Sequence, residues 1–398
     1  MPDAFVYDHV RTPSGRGAPD GTLRSVTVLA LAATVLAELK ARNRLDPGFV
    51  DDIVLGCVDP VGECAAGLVR AAAIAAGLAA VPGLLLDRFG ASGLDAVNLA
   101  AAAVMAGQHD MAMAGGVGSA SRSVPVQGAL AVDPSVALAA FHVPPGIAAD
   151  LIATRAGLSR SRLDAFAVES HVRATAAWAD GRFRQAVAPV RDVNGITLLT
   201  RDETVQADAA LDTLAAAPPS FAALGEAGFD AVAIQAHPEV EAVAHMHHAG
   251  NSATAADGAG AVLIGNRRIG RRSDLRPRAR MRAFATVATE PRPGLDGTAE
   301  AIRKALRRAR LIIADIDVIE IDEVFAGPTI ETIRTLGPDP MRVNPNGGAI
   351  ALGRPLGAVG AIMLGRALDE LERRDRTLAL IAATAAAGMA TAAIIERV

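Results

Sequence analysis

The segment Asp87-Arg88-Phe89-Gly90-Ala91-Ser92-Gly93-Leu94-Asp95-Ala96-Val97 has the form of a strand-to-helix elbow. A small Gly/Ala/Ser turn leads into an Ala-rich run that predicts a helix over 94–105. A cysteine at position 90 would sit on the positive N-terminal end of that helix, where a thiolate is stabilised. Gly90 stands there, with no side chain to react. The other chemically capable residues are scattered. Cys57 falls inside an apolar run and reads as a buried core thiol. Cys64 follows Gly62-Glu63, outside the elbow, and reads as structural or interfacial rather than as a relocated nucleophile. His245, His247 and His248 lie near His237, and their i, i+2 spacing suits a strand face; the structural reading is favoured over a metal site. Gly115-Gly116-Val117-Gly118 lacks the spacing of a dinucleotide fingerprint and reads as packing at a turn.

The elements around these residues alternate. The first third reads as strand 4–8, helix 26–40, buried strand 52–58, a helical stretch 62–77, strand 84–88, helix 94–106 and buried strand 111–116. The last third reads as helix 298–308, strand 318–321, a Gly-rich elbow 346–357, helix 360–373 and two strands, 378–384 and 390–395, around a small-residue turn. This order predicts an α/β fold with sheets covered on both faces. The elbow-plus-helix units 89–106 and 347–368 look like counterparts, which predicts an internal duplication. Between the two halves, a helix over 160–180 ending at Gly181 and a loop with Pro218-Pro219 read as an inserted loop domain. The expected division is an N-terminal domain over 1–124 completed by 249–270, a loop domain over 125–248 and a C-terminal domain over 271–398, with the Arg-rich stretch 267–282 as a solvated linker.

Composition narrows the classes. Of 398 residues, 51% are hydrophobic but only 3% aromatic, so the core must be built from Ala, Val, Leu and Ile. A net charge of -4 argues against nucleic-acid binding and a polybasic membrane surface. Two cysteines exclude a disulfide framework or a multi-cysteine metal site and fit a reducing cytoplasm. The first residues show no basic segment followed by an apolar run. The uncharged stretches 71–86 and 377–395 are rich in Ala, Gly and Thr and read as core strand and turn rather than as membrane spans.

Motif by motif, the chain resembles the thiolase superfamily. Arg11-Thr12-Pro13, Val54-Leu55-Gly56, the elbow, and Gly115-Gly116-Val117 with Ser121-Arg122 resemble the opening domain of thiolases. His248-Ala249-Gly250-Asn251-Ser252 followed by Asp257-Gly258-Ala259 resembles the family's AGN and DGA signatures. Asn344-Pro345-Asn346-Gly347-Gly348-Ala349-Ile350-Ala351-Leu352-Gly353 resembles its NxNGGAIAxGHP motif, and the ending from Gly388-Met389 also fits. The stretch 229–251 looks like the acetyl-CoA acyltransferases of the trifunctional-type fatty-acid β-oxidation branch. The resemblance spans essentially the whole chain. It implies two duplicated domains in a five-layered αβαβα arrangement with an inserted loop domain, and a homodimer or tetramer. The small-residue stretch 111–119, expected as exposed edges, is the chain's own hint of association.

Thiolases cleave or form the C–C bond of 3-ketoacyl-CoA. The family chemistry uses an elbow cysteine as nucleophile, a second cysteine near the C-terminus for the α-proton, the GHP histidine and the NEAF asparagine at the oxyanion. Carried over residue by residue, all four positions depart: Gly90 for the nucleophile, Arg354 for the histidine, Asp322 for the asparagine, and Thr384 for the second cysteine, beside Ala385-Ala386-Ala387. The resemblance therefore implies that thiolysis is lost. At the coenzyme side, Ala253 falls on the family's pantetheine serine with Ser252 beside it, and 204–221 lacks any Lys or Arg for CoA phosphates. The residues left as pocket candidates are His142, foremost as an acid–base group, with Glu323, Ser252 and His248.

Asp322 and Arg354 are expected to pair and fill the vacated site. Two functional classes follow. One is a non-catalytic scaffold, partner of a β-oxidation enzyme, or acyl-CoA binder, with no cofactor and CoA thioester as the candidate ligand. The other is an acyl-CoA enzyme with cysteine-independent chemistry, decarboxylation or retro-aldol cleavage. An open tunnel to Gly90 faced by His142 or Glu323 would fit the enzyme. A pocket filled by Phe89, Arg354 or the Ala385–Ala387 turn would fit the scaffold.

Overall fold

The computed structural model describes residues 3–65, 67–123, 133–292 and 294–398. The strands in chain order are β1 (Phe5–Arg11), β2 (Gly15–Arg16), β3 (Asp52–Gly56), β4 (Gly83–Leu86), β5 (Met111–Ser119), β6 (Val190–Arg191), β7 (Thr197–Leu199), β8 (Ala256–Gly265), β9 (Ala279–Ala288), β10 (Val318–Ile321), β11 (Leu378–Thr384) and β12 (Met389–Arg397). The helices that build the layers are α1 (Val28–Arg42), α2 (Leu68–Ala75), α3 (Ser92–Ala106), α4 (Pro145–Arg155), α5 (Arg160–Ala179), α6 (Gly297–Ala309), α7 (Ala326–Leu336) and α8 (Val359–Arg374).

Strand order exposes the duplication. The ten-stranded sheet runs β10-β11-β12-β9-β1-β8-β5-β3-β4, with β2 on β8. In the first half, β4, β3 and β5 are parallel, then β8 and β1 follow antiparallel. The second half repeats this: Val343 bridges β10 in parallel, β10 is parallel to β11, and β12 and β9 follow antiparallel. Among the described residues, the strands of the two halves join where β1 meets β9, at Phe5 against Arg280 and Val6 against Ala279.

Alternation along the strands sorts side chains into layers. On β8, Ala259, Ala261 and Leu263 face α1 and α2, whereas Val262 and Ile264 face the middle layer of α3 and α8. On β11, Ala379, Ile381 and Ala383 face that same middle layer, whereas Leu380 and Ala382 face α6. The result is helix, sheet, helix, sheet, helix, the five layers expected. Small residues permit the close spacing: a Cβ on Gly360 of α8 would lie 2.6 Å from the backbone nitrogen of Leu94 of α3. The window Phe89–Ala106 is apolar enough to cross a membrane by length and composition, with mean hydropathy 1.4, but 67% of it is buried as this central helix.

Most expected elements appear within a residue or two, and 377–395 forms the β11–β12 hairpin. Several readings change. The stretch 62–77, read as helical throughout, is the turn Gly62–Cys64 followed by α2, and 71–86, read as core strand and turn, holds the end of α2 and then β4, none of whose residues is fully buried. The Arg-rich stretch 267–282 is not a solvated linker. It holds the helix Arg267–Arg272 and opens β9, with Arg267 stacked on Phe5 at 4.7 Å and Arg278 paired with Asp369 at 2.7 Å. The stretch Met111–Ser119 is not an exposed edge; all nine residues are buried between β3 and β8, so that hint of association falls away. The histidines at 245–248 lie on irregular chain rather than on a strand. The expected domain boundary at 124/125 lies outside the described residues.

The inserted region packs on the duplicated body through charge as well as apolar contact. Arg11 of β1 makes a buried pair with Asp202 at 2.6 Å, and the Trp178 indole of α5 donates to the same carboxylate at 3.0 Å.

Candidate functional site

The elbow is held by its own short side chains. Asp87 accepts from the Phe89 backbone at 2.8 Å, and the Ser92 hydroxyl accepts from Arg88 N and donates to Phe89 O. These bonds hold Phe89 at φ +48°, a left-handed conformation unusual for a bulky residue. The turn delivers Gly90, buried, to the N-terminal end of α3.

Three chain segments converge on Gly90. Asp322 leaves the end of β10, with its backbone N–H on Ala382 O at 3.0 Å. Arg354 follows Gly353, its backbone N–H on Thr254 O at 2.8 Å. Thr384 ends β11, and its hydroxyl is 2.9 Å from that of Thr298. The Arg354 guanidinium reaches Asp322 through Nε at 2.9 Å and Nη2 at 2.6 Å, and Nη2 also donates to Thr384 O at 3.3 Å. The Asp322 side chain is 0% exposed and that of Arg354 only 11%. The four positions singled out from the sequence thus meet, and the expected ion pair is formed in bidentate geometry.

Little space remains around them. A Cβ built on Gly90 would fall 2.1 Å from Arg354 Nη2 and 2.7 Å from Thr384 O. The cavity enclosed by Asp322, Thr384, Thr298 and Leu295 is about 10 Å³. Beyond Leu295, a second cavity of about 50 Å³ is lined by His142, Ala386 and Ala387. Holding a single water molecule takes about 10–15 Å³ of such space, so neither cavity admits an acyl thioester.

The remaining candidates separate. His142 alone reaches one of these cavities, and burial holds its imidazole below the usual value. Glu323 points away from them. It is fully enclosed, accepting from Ser170 and Asn344 at 2.8 Å each and from Ile350 N at 3.2 Å. Burial raises its carboxyl, against those hydrogen bonds. Gly348 makes room for it: a Cβ there would lie 2.1 Å from Glu323 Cδ. The Ser252 hydroxyl donates to His248 O at 2.9 Å.

The histidine cluster is a scaffold of hydrogen bonds. Asp150, 0% exposed, faces His245 Nδ1 at 3.0 Å and His247 Nδ1 at 2.7 Å, and accepts the backbone N–H groups of Met246 and His247. His247 Nε2 accepts from Gly327 N, which fixes the proton on Nδ1. His248 bonds Asp164 at 2.9 Å. Burial lowers His248, while His245, bonded on both sides by Asp150 and Asp230, is raised despite its burial.

Sequence reading missed one large opening. A cleft of about 890 Å³ lies between α4, α6 and α7, on the far side of Leu295. Its arginines are matched: Arg155 to Glu239 at 3.0 Å, Arg334 to Glu331 at 2.8 Å, and Arg303 to Glu300. No periodic signal marks it, because its walls come from four separate segments.

Fold and motifs together define the thiolase fold class. The family model described as "Thiolase, N-terminal domain" matches residues 4–228, and "Thiolase, C-terminal domain" matches 275–397. The chain belongs to the thiolase family. It is 36% identical over 423 aligned residues to the 3-oxoadipyl-CoA/3-oxo-5,6-dehydrosuberyl-CoA thiolase of Escherichia coli K12, covering 100% of both chains. It is 32% identical to a 3-ketoacyl-CoA thiolase of Bacillus subtilis and 33% identical to one of Shewanella frigidimarina, again over 100% of each chain. These names span more than one thiolase branch, so the comparison establishes the family without singling out the trifunctional type.

Proposed function

We propose that this protein is a thiolase-fold member of acyl-CoA metabolism that does not itself perform thiolysis and acts instead as a binding partner or scaffold. One observation carries the reading. The place where a nucleophile would project from the elbow is occupied by the Arg354 guanidinium, pinned by Asp322 and Thr384 O. A thiolase reaction needs a nucleophile, a base and oxyanion donors around an open acyl site. The elbow offers none of the first, and a guanidinium neutralised by its own carboxylate is neither a base nor a free donor. The relatives are named as thiolases; those names describe their activity, and the residues at 90, 322, 354 and 384 are the grounds for treating this chain differently.

The alternative of cysteine-independent acyl-CoA chemistry would place His142 as the acid–base group. The cavity at His142 is about 50 Å³, too small for a bound thioester without rearrangement. Association as a dimer or tetramer, a β-oxidation enzyme as partner, and a cytoplasmic location belong to the proposal.

The test pairs a thiolysis assay with calorimetry, using acetoacetyl-CoA, 3-oxoadipyl-CoA and free CoA. The expected result is no thiolysis with either substrate. Turnover by the unmodified protein overturns the proposal. Heat from CoA without turnover marks an acyl-CoA binder; no heat from any CoA species leaves the scaffold role alone.

A further inference from the structure

The chain's only two cysteines come to the wall of one cavity, which Gly90 and Arg354 do not line. Cys57 follows β3 directly and is fully buried; Cys64 closes the short turn Gly62–Cys64 and is partly exposed. Both line one cavity of about 220 Å³ at the C-terminal ends of the parallel strands β3 and β5. Their thiols interact. The Cys64 thiol, then burial, pushes the Cys57 thiol up, and Cys57 in turn pulls the Cys64 thiol down, against its own burial and the Glu63, Asp59 and Asp87 carboxylates. A further group faces the same space. The Ser119 hydroxyl, only 6% of whose residue is exposed, lines this cavity without a hydrogen-bond partner among the described residues. The turn carrying Cys64 is fixed by Glu63, which accepts from Val28 N at 3.1 Å and pairs with Arg122.

We propose that Cys57 and Cys64 are a redox-active pair that forms a reversible intramolecular disulfide, with a hydroperoxide as the oxidant. The division of labour follows from exposure: an accessible thiolate attacks and a buried neighbour resolves. The Cys64 sulfur attacks one peroxide oxygen. The O–O bond breaks, an S–O bond forms, and the departing oxygen takes a proton from water. Ser119 is the hydroxyl placed to donate to that oxygen. Cys64 is then a sulfenic acid, its sulfur oxidised by two electrons and the peroxide reduced by two. The Cys57 sulfur attacks the Cys64 sulfur, the S–O bond breaks, and hydroxide leaves with the Cys57 proton as water. A dithiol reductant reverses the bond by exchange. The disulfide would tie the turn to the end of β3 and close the cavity between them.

The experiment treats the full chain with stoichiometric hydrogen peroxide, then alkylates it in denaturant and measures intact mass. The expected product has lost both alkylatable thiols and two hydrogens, stays monomeric on non-reducing gels, and recovers both thiols with dithiothreitol. Cys57→Ser, or Cys57→Ala if the serine variant does not fold, is expected to stop at a Cys64 sulfenic acid trapped by dimedone. Cys64→Ser is expected to leave Cys57 unreacted. Three results overturn the proposal: a Cys64 sulfenic or sulfinic acid beside a free Cys57 in the unmodified protein, disulfide-linked dimers as the sole disulfide product, or two thiols that stay free.

Discussion

Gly90→Cys restores the residue that thiolase chemistry would place at the elbow, and the surroundings decide what it does. The new Cβ would meet Arg354 Nη2 at 2.1 Å, Thr384 O at 2.7 Å and Arg354 Cζ at 3.0 Å. Ordinary van der Waals separation begins at about 3.5 Å, so the first contact is too close by about 1.4 Å. The Thr384 oxygen is backbone and cannot swing aside. Two responses are open. If Arg354 keeps its partner and the elbow shifts, the cost is that of overpacking, about 1–3 kcal/mol. If Arg354 withdraws, the Asp322 carboxylate, 0% exposed, loses its counter-ion, at about 3–5 kcal/mol. The cheaper route prevails, so the variant is expected to be destabilised by about 1–3 kcal/mol with the ion pair retained. Thiolysis is expected to stay absent, because no base lies beside the new sulfur. Gly90→Ala carries the same Cβ without the thiol and is expected to lose similar stability. Chemical denaturation of both variants, beside an acetoacetyl-CoA thiolysis assay, reads the outcome. Unchanged stability would refute the packing argument, and turnover by Gly90→Cys would refute the reading of the whole site.

Further outcomes follow from the buried charges. Asp322→Ala is expected to destabilise the protein by about 3–5 kcal/mol by stranding Arg354, while Asp322→Ala combined with Arg354→Met recovers most of that loss; a double-mutant cycle by denaturation measures it, and additive losses would count against the pairing. Glu320, fully buried on β10 beside Arg366 at 2.8 Å, has its carboxyl raised to about 7, burial outweighing the arginine's attraction. A carboxyl raised above its unfolded value contributes stability that is fully present below about pH 4.5 and is lost as pH rises through about 7, here about 3 kcal/mol. Glu320→Gln is expected to remove that component of the slope of stability between pH 4.5 and 7, and a slope equal to that of the unmodified protein would contradict it.

Much of the fold was legible because the chain is locally consistent. Val318–Ile321 and Leu378–Thr384 are short apolar runs bounded by turn signals, and they form strands at the expected residues. Strand β9 was not read, because Arg278, Arg280 and Arg282 drew attention as a charge run. Their alternation with Ala279, Met281 and Ala283 is the period of a half-buried strand and was the signal available. At the site, the resemblance to thiolases implied that the positions of Gly90, Asp322, Arg354 and Thr384 converge, and the fold brings them together. The roles of Glu323 and His248 were not legible: whether a polar side chain faces a cavity or a neighbouring group depends on packing across 80 or more residues of chain, as in His248 with Asp164, 84 positions apart, and Glu323 with Ser170, 153 apart.

The interleaving of the two halves has a consequence for synthesis. Strand β1 needs β8, and α3 is covered on its inner side by α8, which ends at Arg374. From the end of α3 at Ala106 to the end of α8 is 374 − 106 = 268 residues. At about 5–20 residues per second, this apolar helix emerges about 13–54 s before its partner exists. During that interval the nascent protein is a client in need of shelter, and a message cut short between α3 and α8 yields a fragment with that helix uncovered, a substrate for aggregation or proteolysis.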